Sequence, residues 1–427
     1  MNATMRGAII LGGIILFIAA CSALTFGVLP AAGLSVGMPV IMVPGEPYDT
    51  GLPPESFRWT NTLTATVLST LAVLLFALLA WRASRGWKRE VPTRFQSWVE
   101  LLGGFMYDLT KTLAGRNARL LFPLVATIFV FLLAANWMKL LPGVESVGVM
   151  HCAEEGFSGY PAVQVGGSFR LYVDEPLNAG REATYQDYNR CKEFFHHGNI
   201  HGPTQEELNA AITELRNREA TLIAELDADP TITPEERQAR IEALRFEILE
   251  TVYPHPVLPL SAEQLAAGAF PYIFVVTPYV RGAATDLNLT IGLALVAVAA
   301  IQIFGVMALG PGYFKKFINL DALGNLGKRP LGAIDFIVGI VEIISEIGKI
   351  VSLAFRLFGS MFAGGILLAV MALLIAFFLP IIFYGLEIII TTIQALVFAV
   401  LTLVFSAQAM VAHHGDDHHD DHTTSHH

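Results

Sequence analysis

Arg356 stands near the middle of "VSLAFRLFGSMFAGG", residues 351–365, and is the one charged residue in that run. A guanidinium at the centre of a membrane helix is unfavourable by about 2.5 to 3.5 kcal/mol, so an apolar run that keeps one has a use for it. Around it Glu342, Ser345, Glu346, Lys349, Ser352, Arg356 and Ser360 recur mostly every three or four residues, which sets them on one helical face among Ile, Val, Leu and Phe. Closer to the C-terminus Glu387, Thr391, Gln394 and Thr402 form a sparser stripe of the same kind. Ionisable stripes within apolar helices mark an interface or an ion path. The chemistry such residues support is proton transfer. Glu387 takes up and releases a proton in a watery crevice, with an affinity tuned by depth and by Arg356, whereas the guanidinium remains a fixed charge.

Plainer readings stay open at this point. Arg356 and Glu387 can be a neutralising pair, and Glu342, Glu346 and Lys349 can be charges that snorkel to a membrane surface. Asp286, Asn288 and Thr290 in "ATDLNLT" form a third cluster at the head of an apolar run, where Asp and Thr are also ordinary helix caps. Asn136 and Lys139, near the outer end of another run, are ambiguous singly.

The elements that must position these residues are membrane helices. Of 427 residues, 54% are hydrophobic and 15% charged, and the mean hydropathy is +0.54. The net charge of −10 and the lack of a basic patch argue against a nucleic-acid partner. Runs long enough to cross a bilayer, about 20 residues as helix, occur at 7–30, 60–81, 120–141 and 287–309, and two more follow. The fold class expected is an all-α integral membrane protein with about six transmembrane helices and a cytoplasmic surface helix. Its last two helices are long and tilted as a hairpin, and it carries an external α-rich insert. The first run can instead be a secretory or lipoprotein signal ending at Cys21, although its apolar character continues beyond that cysteine.

Positive charge sets the orientation. Eight Lys and Arg residues lie in 82–119, and Lys315, Lys316, Lys328 and Arg329 follow the fourth run, so both loops are expected inside. The domain boundaries that result are an N-terminal membrane region of two helices at 1–91, a surface helix and third span at 92–142, an external insert at 143–280, a core at 281–412 and a tail at 413–427. The amphipathic stretch 92–117 reads as the surface helix.

Acidic residues outnumber basic ones about two to one in the insert, which also contains Cys152 and Cys191. These two form a disulfide or remain free thiols; an exported compartment permits the former. Thr204 to Glu207 fits a capping box, and Thr233 with Pro234 opens a second helix, so a helical hairpin is expected there, with a short strand at "GSFRLYV". From 331 to 378 the chain is almost continuously apolar, too long for one perpendicular crossing, so this helix is tilted, partly outside the core, or broken near Gly359, Gly364 or Gly365. The tail "HHGDDHHDDHTTSHH" reads as disordered and weakly metal-binding. "GNLGKRP" fails the spacing of a phosphate loop, so no nucleotide chemistry and no cofactor is expected on this chain.

"SLAFRLFGSMFAGGILL" followed by "IIITTIQALVFAVLTLVF" resembles the subunit a family of rotary F-type ATP synthases, the stator channel beside the ring of c subunits. "FPLVATIFVFLLAANWMKLLPG", "ATDLNLTIGLALV" and "VEIISEIGKIVSLAFRLFG" extend the resemblance over most of 92–410 apart from the insert.

The resemblance implies a proton-translocating subunit, not itself an enzyme, with two offset half-channels. Arg356 would face the ring carboxylate with Gln394 beside it, and Glu342 would be the acidic residue towards the cytoplasm. Asn136, Asp286 and Asn288 would flank the external half-channel, with Ser352 and Ser360 near the arginine. It also implies as partners the c-subunit ring, b-type stator subunits, the remaining synthase subunits and the lipid bilayer, in a bacterial-type plasma membrane with both termini cytoplasmic. Ser360 stands where the family usually has asparagine, and Gly365 where many members have glutamate or histidine, so proton entry falls mainly on Glu387. Lys139 is unusual for the family. A secondary transporter with an intramembrane Arg-Glu pair is the rival reading, but the internal repeat it calls for is not seen in the sequence.

Overall fold

The computed structural model describes residues 44–47, 59–87, 92–141, 143–173, 180–196, 199–229, 231–317, 332–374 and 378–411. The expected first helix at 7–30 and the His/Asp-rich tail lie outside the described residues.

Among the described residues the membrane helices are, in chain order, first α1 (Asn61–Ser84), α2 (Arg94–Ala114) and α3 (Ala118–Met138). The insert follows with β1 (Gly148–Cys152), β2 (Ser158–Gly159), β3 (Ala162–Val165), β4 (Ser168–Leu171), β5 (Arg181–Glu182) and α4 (Tyr185–Phe194). It continues through β6 (Phe195–His196), β7 (Asn199–Ile200), α5 (Gln205–Asp227), α6 (Pro234–Leu249), α7 (Ala262–Ala266) and β8 (Phe274–Pro278). Three long helices follow among the described residues: α8 (Leu287–Leu309), α9 (Gly332–Leu374) and α10 (Phe378–Ala409). Five helical stretches among the described residues are long and apolar enough to cross a membrane. The protein is an all-α integral membrane protein in its spans, and among the described residues the named β-strands all lie in the insert.

Two compact units divide the chain, one comprising 62–141, 282–362 and 388–427, the other 1–61, 142–281 and 363–387. In the first, Leu121, Val125 and Leu132 of α3, Ala294, Val298 and Ile301 of α8, Leu353, Leu357 and Met361 of α9, and Phe398 and Leu403 of α10 form one apolar core. Local chemistry sets the helix ends. Thr93 caps α2 by accepting from the Gln96 amide, and Asp286 caps α8 by accepting from the Asn288 amide at 2.9 Å. Beyond α8 the chain turns back so that the Tyr313 ring lies on Gly305, where any Cβ would run into it, and the phenol donates to Gln302 Oε1 at 2.6 Å. On α2, Phe95, Trp98, Leu101 and Phe105 are exposed while Met106 is buried, the pattern of a helix with an apolar face towards lipid.

The second unit contains the insert, whose core gathers Phe194, Tyr253, Phe270, Tyr272 and Phe274 with aliphatic residues of α5 and α6. Phe194 stacks on Tyr272 with ring centroids 4.3 Å apart. Both expected helices of the hairpin form: Thr204 and Glu207 make a reciprocal capping box on α5, and Thr233 with Pro234 starts α6. Arg245 and Glu219 pair between them, largely shielded from solvent. Cys152 and Cys191 are joined by a disulfide. The expected short strand is present as β4, paired with β3, and three further two-stranded ribbons join β1 to β8, β2 to β5 and β6 to β7. Those extra strands have two to five residues each, too few to show a period in the sequence.

Candidate functional site

α9 runs unbroken for 43 residues, through Gly359 and Gly364. That is about 65 Å of helix, so it exceeds the bilayer core without needing a break. The polar stripe of α9 is not one face, however. Ser345, Gly348, Ser352, Arg356, Gly359 and Ala363, spaced three and four apart, are exposed, whereas Glu346, Leu353, Ala354, Leu357, Met361 and Gly364 are buried. Arg356 therefore lies on an open face of small residues, its Nη2 donating to Ser352 Oγ one turn earlier at 3.3 Å. Glu346 turns the other way and receives a bond from Lys349 Nζ at 2.8 Å. The Lys349 ammonium also sits 5.3 Å from the centroid of the Phe405 ring on α10. Ser360 is half-buried and donates to the Leu357 carbonyl, and Glu342 is half-buried.

On α10, Glu387, Thr391, Thr402 and Ser406 are buried, and Gln394 is half-buried beside them. Ser406 continues the stripe one turn beyond the residues expected to form it. Glu387 lies against Gly364 of α9: a Cβ there would come 2.6 Å from the Glu387 carboxyl carbon. This close approach requires a residue without a side chain.

The ends of α3 and α8 that adjoin the insert in the chain hold the remaining candidates. Asn136 is 1% exposed and donates from Nδ2 to the Thr391 carbonyl at 3.3 Å. Its Oδ1 is buried without a hydrogen-bond partner. Lys139 donates from Nζ to the Met361 carbonyl at 2.9 Å. Asp286 is buried and accepts both from the Asn288 amide and, at 2.7 Å, from the Thr62 hydroxyl of α1. Asn288 itself is exposed. Thr62 is a contributor that sequence reasoning missed. It is 224 residues from Asp286, and nothing local marks it.

The fold and these side chains define a multi-pass helical membrane protein that places charged and amide groups on specific faces of its spans. A family model described as "ATP synthase A chain" matches residues 64–161 and 259–407, more than half of the chain. The chain belongs to the ATP synthase A chain family. ATP synthase subunit a of Dinoroseobacter shibae is 39% identical over 77 residues, covering 18% of this chain and 31% of that relative. The chain thus spans about a third of the length of that curated relative. The family match is interrupted over 162–258, the greater part of the insert.

Proposed function

We propose that this chain is the proton-translocating channel subunit of a rotary F-type ATP synthase, acting without nucleotide chemistry of its own. The observation that carries the reading is the division of α9. Arg356 is exposed on a stripe of small residues, while Glu387 is buried beside Gly364. Small residues let another helix approach closely. A ring of c subunits bearing a carboxylate at the depth of Arg356 is the partner that fits, with b-type stator subunits and the rest of the synthase completing the complex.

A proton from outside passes Asp286, Asn288 and Asn136 to Glu387 and on to a ring carboxylate. Once neutral, that carboxyl can move through lipid, where its anion would be strongly disfavoured. After nearly a full turn it meets an inner half-channel lined by Glu342, Ser345 and Ser352. Arg356 stabilises the anion there and promotes proton release. Its permanent charge also prevents protons from passing straight between the half-channels, and Gln394 helps hold it in place. Moving one charge across 100 mV is worth about 2.3 kcal/mol, so several protons must pass for each ATP made. The orientation proposed has both termini in the cytoplasm and the insert on the outer face of a bacterial-type plasma membrane.

Arg356→Ala in vesicles holding the whole complex tests the reading. ATP-driven proton pumping should be abolished with assembly intact; pumping that survived would overturn it.

A further inference from the structure

Lys139 is the C-cap of α3. The partial negative charge of a helix C-terminus explains why a cation is tolerated there, but not where the side chain goes. A lysine at the end of an apolar helix ordinarily extends its ammonium to water. Lys139 instead is 7% exposed, and its Nζ donates to the Met361 carbonyl of α9 at 2.9 Å. One turn earlier on the same face, Asn136 donates to the Thr391 carbonyl of α10.

Consecutive turns of α3 thus hold the backbones of both terminal helices. A bond to a backbone carbonyl fixes the position of a helix along its axis, whichever rotamers its side chains adopt. Met361 is five residues beyond Arg356, about 7.5 Å along the axis, and Thr391 is three residues before Gln394, about 4.5 Å. The apolar contacts that α9 makes through Leu353, Ala354, Leu357 and Met361 are driven by a non-directional effect, to which a charge-assisted hydrogen bond adds a directional restraint.

We propose that Lys139 is a positioning residue for proton translocation: its ammonium fixes the axial register of the arginine helix against α3, with Asn136 doing the same for α10. The inference rests on the reading of Arg356 given above and adds a residue to it. Methionine is close to lysine in length and carries no donor, so Lys139→Met removes the bond to the Met361 carbonyl with little change in the space filled. What is lost with that bond is register.

The test uses vesicles holding the whole complex and reads protons pumped per ATP hydrolysed, together with assembly. Lys139→Met should lower that ratio about tenfold or more, the scale on which small misplacements act. Lys139→Arg, which can still donate to the carbonyl, should restore most of it. Lys139→Gln, a shorter and uncharged donor, should fall between. If Lys139→Met does not assemble, the Gln and Arg variants decide the matter: a reduced ratio in Gln with recovery in Arg supports the role, and equal ratios overturn it. Parental coupling in assembled Lys139→Met overturns it outright. Arg356→Ala in parallel separates the two claims. If Arg356→Ala abolishes pumping while the Lys139 variants couple normally, only the positioning role fails; if Arg356→Ala still pumps, the reading beneath it fails.

Discussion

Gly364 of α9 and Glu387 of α10 meet so closely that no Cβ fits between the glycine and the carboxylate. A methyl group there would stand 2.6 Å from the carboxyl carbon and nearer still to both oxygens. Gly364→Ala is therefore expected to displace Glu387 and to reduce proton pumping by about a hundredfold, because misplacing a reacting group by roughly 1 Å costs that much. Glu387→Asp in the same chain shortens the side chain and should recover part of the rate. Pumping rates of the two variants in reconstituted vesicles check this. Full activity in Gly364→Ala alone would show that the carboxylate can move aside freely.

Asp286 has two separable properties, a cap and a charge. Asp286→Asn retains an oxygen for the Asn288 amide and loses the carboxylate. It should assemble normally and translocate protons more slowly. Thr62→Val removes the hydroxyl that donates to Asp286 from α1. Losing a donor to a buried carboxylate costs about 1 to 3 kcal/mol, so Thr62→Val should lower the thermal stability of the chain. Asp286→Asn puts an amide nitrogen where one of the two accepting oxygens stands, so both variants should lower the melting transition, whereas proton translocation should slow more in Asp286→Asn, which alone loses the charge.

Much of the membrane part was legible in the sequence, because uninterrupted apolar runs have few alternatives to spanning helices. Run 287–309 and α8 coincide, and the capping box at Thr204 and Glu207 formed where its spacing put it. What sequence could not show was the rotation of a helix about its own axis. A stripe at intervals of three and four spreads over a wide sector, and neighbours decide which part of it turns inward. Glu346 and Lys349 accordingly went to the α10 side while Ser352 and Arg356 stayed exposed. Partners far apart in the chain, such as Thr62 and Asp286, left no local trace, and ribbons as short as β2 and β5 have no period to read.

The inward-facing pair is the next expectation. Glu346 and Lys349 are shielded from solvent, and breaking a buried ion pair by removing one member typically costs about 3 to 5 kcal/mol. Lys349→Ala alone should reduce the amount of assembled chain in membranes. Replacing both with leucine should restore it, since apolar substitutes for a buried ion pair are often neutral or stabilising. Immunoblots of membranes from the three strains give the comparison, and a double variant no better than the single would mean that the charges serve something besides each other.

The disulfide closes a loop with a sequence separation of 39 between Cys152 and Cys191. Chain entropy assigns such a loop about 4 kcal/mol. Cys152→Ser with Cys191→Ser should leave the insert markedly more sensitive to protease and heat. The family match passes over 162–258, the greater part of this insert, so proton pumping at low temperature should fall much less than protease resistance does. A variant that resists protease like its parent would mean that the aromatic core alone holds the insert together.

The insert core also predicts a response to alkali. Tyr272 donates to the Pro254 carbonyl, and burial raises its phenol well above the usual tyrosine range; burial pushes Tyr253 up to about 12. In the unfolded chain both lose their protons near pH 10. Their protonated forms thus support folding fully below that pH, and the support is lost as pH rises towards 12, where the unfolded state sheds protons that the folded state still holds. Protease resistance of the insert should be level up to about pH 10 and then decline. Tyr253→Phe, which cannot ionise, should make the decline shallower while retaining the ring that packs on Phe194. An unchanged alkaline profile in that variant would assign the decline to other groups.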